Sequence, residues 1–314
     1  MSIGCAHTIH ARSHHFGWSP SHPAKLEVAS GDCVEFEIVD TGGGEITPDT
    51  TVDDLELLDR RRFGPLTGPV FVHDAQPGDT LKITIEYLSP SGWGWSMVTP
   101  RYGILADDFD RPLFHIWRYG KDGSTSVAYK TVAEVPLKPF PGIIGVSPGA
   151  AGVHPHGPPR NVGGNLDMRD ISAGVELYLP VECPGALLSL GDTHAAQGHG
   201  ELAGTALESP IDIALRVDVL KNVSIPGPRL TTPGPVARHL DHAGYHITCG
   251  VEDDLGEAAR SATRHMIDLL GQLHHIDPLD AYLLCSVCAD LCISEMVNKP
   301  INVVSLYFPR AVVE

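Results

Sequence analysis

Residues 26–40, LEVASGDCVEFEIVD, alternate apolar and polar positions on both sides of a Ser-Gly-Asp turn. A period of two places every second side chain on one face of an extended strand, so the two halves read as short half-buried strands of a hairpin. Residues 69–87, PVFVHDAQPGDTLKITIEY, repeat the design as an apolar strand, a Gly-Asp turn and an alternating strand. Residues 173–192 and 204–221 also read as strands. The second sets Ile211, Ile213, Leu215, Val217 and Val219 against Asp212, Arg216 and Asp218, giving one core face and one wet face. With 33 Gly and 26 Pro in 314 residues, turns are plentiful enough for many short strands rather than a helical bundle. The expected fold is therefore mainly β, with a sandwich- or barrel-like body over residues 1–225.

Beyond the Pro-rich link SIPGPRLTTPGP the period changes. Residues 254–273, DLGEAARSATRHMIDLLGQL, have helical spacing with acidic residues in the first turn, a second helix is expected over 278–297, and INVVSLYFPRAVV closes the chain as a strand. Residues 226–314 thus form a C-terminal α+β portion. Cys285, Cys288 and Cys292 share one face of the expected second helix among apolar neighbours, which reads as buried, inert thiols. No fourth ligand for zinc or an iron–sulfur cluster stands nearby. Seven Cys without a small-scaffold spacing suit free thiols in a reducing compartment. Residues 93–118 read as an irregular aromatic-bearing loop with short strands, in which Trp93, Trp95 and Trp117 either wall a pocket or fill the core. The Pro-, Gly- and His-rich stretch 136–164 is a long loop system, a kind that is usually functional inside a compact domain.

A formal charge of −17 repels phosphate backbones and anionic lipid, which argues against nucleic-acid and membrane partners. No apolar run approaches the ~20 residues needed to cross a bilayer, and the first residues lack the apolar stretch of a secretory signal, so a cytoplasmic location is expected.

The densest chemistry lies in LSLGDTHAAQGHGELAGTALESP, residues 188–210. If Leu187–His194 is extended, Asp192 and His194 project from one face and can meet one divalent ion, while Thr193 points away. Gly198, Gly200 and Gly204 let the chain fold back and bring Glu201 or Glu208 alongside. Upstream, RNVGGNLDMRDIS adds Asn165, Asp167 and Asp170, with Asp167 a third candidate ligand. A catalytic metal keeps a position for water and lowers its pKa from about 15.7 to about 7, and a nearby carboxylate then takes the remaining proton. Glu201 is the expected general base with Glu208 as its alternate, and Asn165 and His199 are the expected substrate contacts. Zinc is the first choice of metal because His joins the oxygens, and calcium is the second. His154 and His156 are further ligand candidates, although HPHGPP reads equally as a rigid surface loop. No Gly-x-Ser-x-Gly elbow, His-Glu-x-x-His, phosphate loop or dinucleotide fingerprint is present. Cys183 sits in an acidic stretch that would not favour its thiolate.

GGNLD at 163–167, LYLPV at 177–181, GDTHAAQGHGE at 191–201 and ALE at 206–208 together resemble the acetamidase/formamidase family. Weaker echoes at 30–46, 68–81, 145–148 and 286–298 extend the resemblance over nearly the whole chain. The resemblance implies a β-rich fold with an α+β portion, assembly as a homo-oligomer, and hydrolysis of short amides to ammonia and a carboxylic acid with a divalent metal. It carries the family's acidic and histidine positions onto Asp167, Asp192, His194, Glu201 and Glu208. His73 stands where a carboxylate is expected, and the loop HPHGPPR has its own character, so the preferred amide can differ from acetamide or formamide. The alternatives are a metal hydrolase of a carbamate or cyclic amide, and a non-catalytic, metal-stabilised binding module. The surplus carboxylates Glu201 and Glu208 favour an enzyme, since a binding module needs no proton acceptor beside its ligands.

Overall fold

In the computed structural model, which describes residues 4–121 and 124–314, the two strands of 26–40 do not pair with each other. Leu26–Val28 runs parallel to Leu66–Val72 in one sheet, and Cys33–Phe36 runs antiparallel to Ile211–Leu220 in another. The turn between them is closed by the Asp32 carboxylate, which accepts the Ala29 N–H at 2.7 Å. The second Gly-Asp turn behaves alike. It joins Leu66–Val72 in the first sheet to Thr80–Pro90 in the second, and Asp79 accepts the Gln76 N–H at 2.9 Å. Both expected hairpins are therefore arches between sheets. The physical reason is that each arm carries an apolar face, and facing the arms across a sandwich buries both faces at once. The repeat seen in the sequence is structural, because the two arches lie side by side with Leu26 opposite Val70.

The second sheet has six strands in the order His7–Ile9, Cys33–Phe36, Ile211–Leu220, Thr80–Pro90, Glu176–Pro180, Arg229–Thr231. The first has nine, built around Leu188–Ala196, which pairs with Phe140–Gly145, Leu66–Val72 and Leu207–Glu208. Phe36, Ile83 and Leu215 of the six-stranded sheet meet Val70, Leu188 and Leu190 of the nine-stranded sheet in one buried core. The fold is mainly β, as expected. Trp93–Val98 and Leu113–Arg118 are the short strands expected around an irregular loop, here 99–112, and they form a regular antiparallel pair with Trp95 and Trp117 buried.

The helix Leu255–His274 starts where Asp254 accepts the Glu257 N–H at 2.9 Å and ends at His275, whose φ is 56°. Its buried Ala258, Ala262, Met266 and Leu270 join Ala195, Leu207 and Trp117 of the nine-stranded sheet in a second core. The following helix spans Pro278–Cys288 and stops nine residues short of the expected 297. Ala289 turns extended, and Asp290–Glu295 pairs with Asn302–Pro309 in a separate three-stranded sheet completed by Tyr245–Glu252. Cys285 and Cys288 are buried on the helix, whereas Cys292 lies exposed on the strand, so the three do not share a face. Cys5 and Cys33 form a disulfide, which corrects the expectation of free thiols for these two. No helix among the described residues is long and apolar enough to cross a membrane.

Just beyond the helix end, residue 290 joins a buried arginine in an ion pair. Arg169, 2 % exposed, donates to both oxygens of Asp290 at 2.5 and 2.6 Å. Removing one partner of such a pair leaves an uncompensated buried charge. Asp290→Ala is therefore expected to destabilise the protein by about 3–5 kcal/mol in a denaturant titration. A loss under about 1 kcal/mol would show that solvent reaches Arg169 and replaces the pair.

Candidate active site

The strand Leu188–Ala196 belongs to two cores in turn. Leu188 and Leu190 pack inside the sandwich, while Ala195 and Ala196 pack against the helices. Asp192 and His194 fall at the seam. Register shifts interrupt the strand on either side, between Leu188 and Leu190 and between His194 and Ala196, and Asp192 adopts φ 50°. Such irregularities re-aim side chains, and here they bring Asp192 Oδ1 to 3.3 Å from His194 Nε2. Thr193 points the other way, its hydroxyl donating to the Ser209 carbonyl at 2.5 Å. Asp167 and Glu201 also take positive φ, 47° and 43°. Each such residue stores about 1–3 kcal/mol of strain, and three in one cluster mark a place where side-chain position outranks backbone comfort.

His194 is fully buried and directly opposite Glu208 across the sheet, with Glu208 Oε2 3.0 Å from its Nε2. Its other nitrogen, Nδ1, lies 2.8 Å from Gln197 Oε1. The Gln197 amide is itself oriented, because its Nε2 donates to the Asp167 carbonyl at 2.8 Å, and a carbonyl can only accept. Gln197 therefore presents oxygen to the imidazole, Nδ1 carries a proton, and Nε2 is the nitrogen offered to the acids. Asp192, His194 and Glu208 place ligand atoms within 4.8 Å of one another, and so do Asp167, His194 and Glu201. His194 Nε2, Glu208 Oε2 and Asp167 Oδ1 are buried outside hydrogen-bonding geometry with any partner. Polar atoms left so cost free energy unless a cation or proton joins them, and a mixed imidazole and carboxylate set suits a divalent cation.

Gly142, on the neighbouring strand Phe140–Gly145, makes the cluster possible. A Cβ there would lie 2.5 Å from His194 Cε1 and 2.7 Å from Asp167 Oδ1, so only glycine lets these groups close over the strand.

The electrostatics match the crowding. Burial, with Asp192 and Glu208 nearby, pushes Asp167 up to about 7, and burial together with the Asp167 carboxylate holds Glu201 well above the usual carboxylate range. Burial also raises Glu208. For His194, burial favours the neutral ring, but the Glu208 and Asp192 carboxylates outweigh it and hold the imidazole well above its ordinary value. Without a cation, a proton on Nε2 takes up the charge that the carboxylates demand.

Asp167, Asp192, Glu201 and Glu208 all line a cavity of about 370 Å³, walled elsewhere by Phe63, Trp95, Met97 and Tyr102. The family model for the acetamidase/formamidase family matches residues 5–154 and 150–314, which covers the chain almost from end to end. The chain belongs to that family. It is an amidase. The acetamidase of Bacillus halodurans, a solved structure, is 31% identical with a TM-score of 0.69, covering 96% of both chains. The formamidase of Methylophilus methylotrophus is 24% identical over 96% of this chain and 89% of its own. A γ-lactamase from Delftia acidovorans shares the fold at TM-score 0.89 and 22% identity, covering 98% of this chain and 94% of its own.

Within this amidase, the residues singled out from sequence divide. Asn165 lines the cavity with a buried, unpartnered Oδ1. His156 lines it too, packed so closely on Gly64 that a Cβ there would lie 2.2 Å from its Nε2. His154 instead turns its Nε2 to the Ala150 carbonyl at 2.9 Å, and His73 pairs with Glu27 at 3.3 Å on the surface. His199, expected as a substrate contact, lies outside the cavity lining. Its backbone N–H donates to Asp290 Oδ1 at 3.1 Å and its ring faces Asp170 at 3.7 Å, so Asp290 draws the segment away. Cys183 is buried, with burial raising its thiol and its sulfur turned to the Ser147 and Ala186 carbonyls. Gln197 and Gly142 were not singled out in the sequence. Gln197 could have been found from its place three residues beyond His194, just past the end of the strand Leu188–Ala196, whereas nothing local marks Gly142.

Proposed function

We propose that this amidase acts on neutral amides through a divalent cation held by Asp192, His194 and Glu208, with Glu201 as the proton-transfer group and Asp167 beside it. The observation that carries this reading is the buried His194 Nε2 facing Asp192 and Glu208 at 3.3 and 3.0 Å, with its tautomer set by Gln197. Glu208, first considered for proton transfer, thereby becomes a ligand, and Asp167 moves from ligand to partner of Glu201. One nitrogen among oxygens favours zinc, and calcium would require more oxygen ligands than these residues supply. When bound, such a cation polarises an amide carbonyl and acidifies water. The chain's own groups do the rest. Asn165 Oδ1 accepts the substrate's amide N–H, the apolar wall excludes bulk water, and Glu201 moves the proton from water to the leaving nitrogen. Assembly as a homo-oligomer is part of the reading, supported by Ile247 and Val251 standing 49% and 57% exposed on the strand Tyr245–Glu252.

Elemental analysis of purified protein, paired with ammonia release from short amides before and after chelation, tests the proposal. About one divalent ion per chain and loss of turnover on its removal are expected, with recovery on adding zinc. Full turnover by metal-free protein would overturn the cation's role.

A further inference from the structure

We infer that the cavity selects neutral amides bearing an apolar, aryl-sized group, and that formamide and acetamide are poor substrates for it. The inference rests on amide hydrolysis at the acidic cluster, as proposed above. The cavity's volume of about 370 Å³ lies within the ~300–1,000 Å³ of sites that enclose drug-sized ligands, far more than a bare amide group fills. Beside the polar Thr41, Thr99, Thr205 and His156, its lining includes a connected apolar group. Trp95 and Met97 belong to one apolar cluster with Ile46, and Phe63 and Leu55 pack against it. The Trp95 indole N–H is already donated to Asp40 Oδ2 at 2.8 Å, so this buried ring backs the cavity wall without turning a polar atom to a ligand. The Arg60 guanidinium carbon lies 6.0 Å from the centre of the Phe63 ring and braces it.

A second hollow of about 550 Å³ continues the path. It shares Arg60, Met97 and Thr99 with the first and runs on over the apolar Val52, Leu55 and Pro100, with Asp53 and Glu56 at its side. A substrate without a carbon body leaves this apolar surface unused, whereas an aryl group buried there gains the free energy of leaving water. A substrate carboxylate near the amide would face Asp167, Asp192, Glu201 and Glu208, which disfavours an anionic group beside the amide.

The test is kcat/KM by ammonia release from the metal-replete protein across formamide, acetamide, butyramide, benzamide and phenylacetamide. From acetamide to the better aryl amide, kcat/KM is expected to rise about 10–100-fold. Phe63→Ala and Met97→Ala, each checked for an unchanged unfolding midpoint, should both cut that ratio several-fold. A kcat/KM that is flat or falls with substrate size overturns the inference while leaving the amidase reading intact. Ratios unmoved in both variants also overturn it. Absence of ammonia from every amide overturns the active-site proposal together with this one.

Discussion

Replacing His194 by Ala is expected to strip the protein of its divalent metal and to abolish turnover together. The imidazole is the sole nitrogen in both groups of candidate ligands, and the carboxylates around it need a positive charge to stay ionised in a buried site. Losing a Lewis acid that supplies several kcal/mol of transition-state stabilisation lowers kcat by about 10³-fold or more. A graded companion separates this from general damage. Gln197→Leu leaves His194 in place but removes the acceptor of its Nδ1 proton, and loss of such an outer contact costs about 10–100-fold in metal affinity. Metal titration of the two variants should thus show no binding for the first and weakened binding for the second. His194→Ala protein with full metal content and normal turnover would place the site elsewhere.

The features legible from sequence were those with a local cause. Period-two alternation in Cys33–Phe36 and Ile211–Leu220 reports a half-buried strand, and Asp254 before a helical run reports a helix start. Partner choice is not local. Leu26–Val28 and Cys33–Phe36 look like a hairpin because a turn separates them, yet whether a turn closes within one sheet or crosses between two depends on distant strands, here Leu66–Val72 and Ile211–Leu220. The same holds at Cys288, where apolar composition reads as continuing helix and the strand Asn302–Pro309 captures Asp290–Glu295 instead.

The candidate site divides by the same rule. Asp192, His194, Glu201 and Glu208 stand close together in the chain, so their density was visible, and all of them meet in space. Which carboxylate stands beside which was hidden, because it depends on two register shifts and on the positive φ of Asp167, Asp192 and Glu201. Gly142 was illegible for a related reason. Its importance comes from His194 and Asp167 crossing over it, and nothing in PGIIG announces that.

Those backbone conformations lead to Glu201, for which substitution by Gln is expected to lower kcat by about 10²–10⁴ while metal content and fold persist. Glu201 groups with Asp167 and His194, whereas Asp192 and Glu208 group with His194 separately, so it lines the cavity without being required to complete the Asp192–His194–Glu208 set. Burial and the Asp167 carboxylate make its ionised form a strong base, ready to take a proton from water as the water oxygen bonds to the carbonyl carbon. The same proton then passes to nitrogen as the C–N bond breaks, so that ammonia departs in place of an unstable amide anion. Gln keeps the side chain's size and hydrogen-bonding capacity but cannot accept that proton. Glu208→Gln is the contrasting variant. It weakens a ligand 3.0 Å from His194 Nε2 and should lose metal along with turnover. Paired kinetics and metal analysis read both outcomes. A Glu201→Gln protein with normal kcat would hand the base role to Asp167, and one that loses its metal would make Glu201 a ligand.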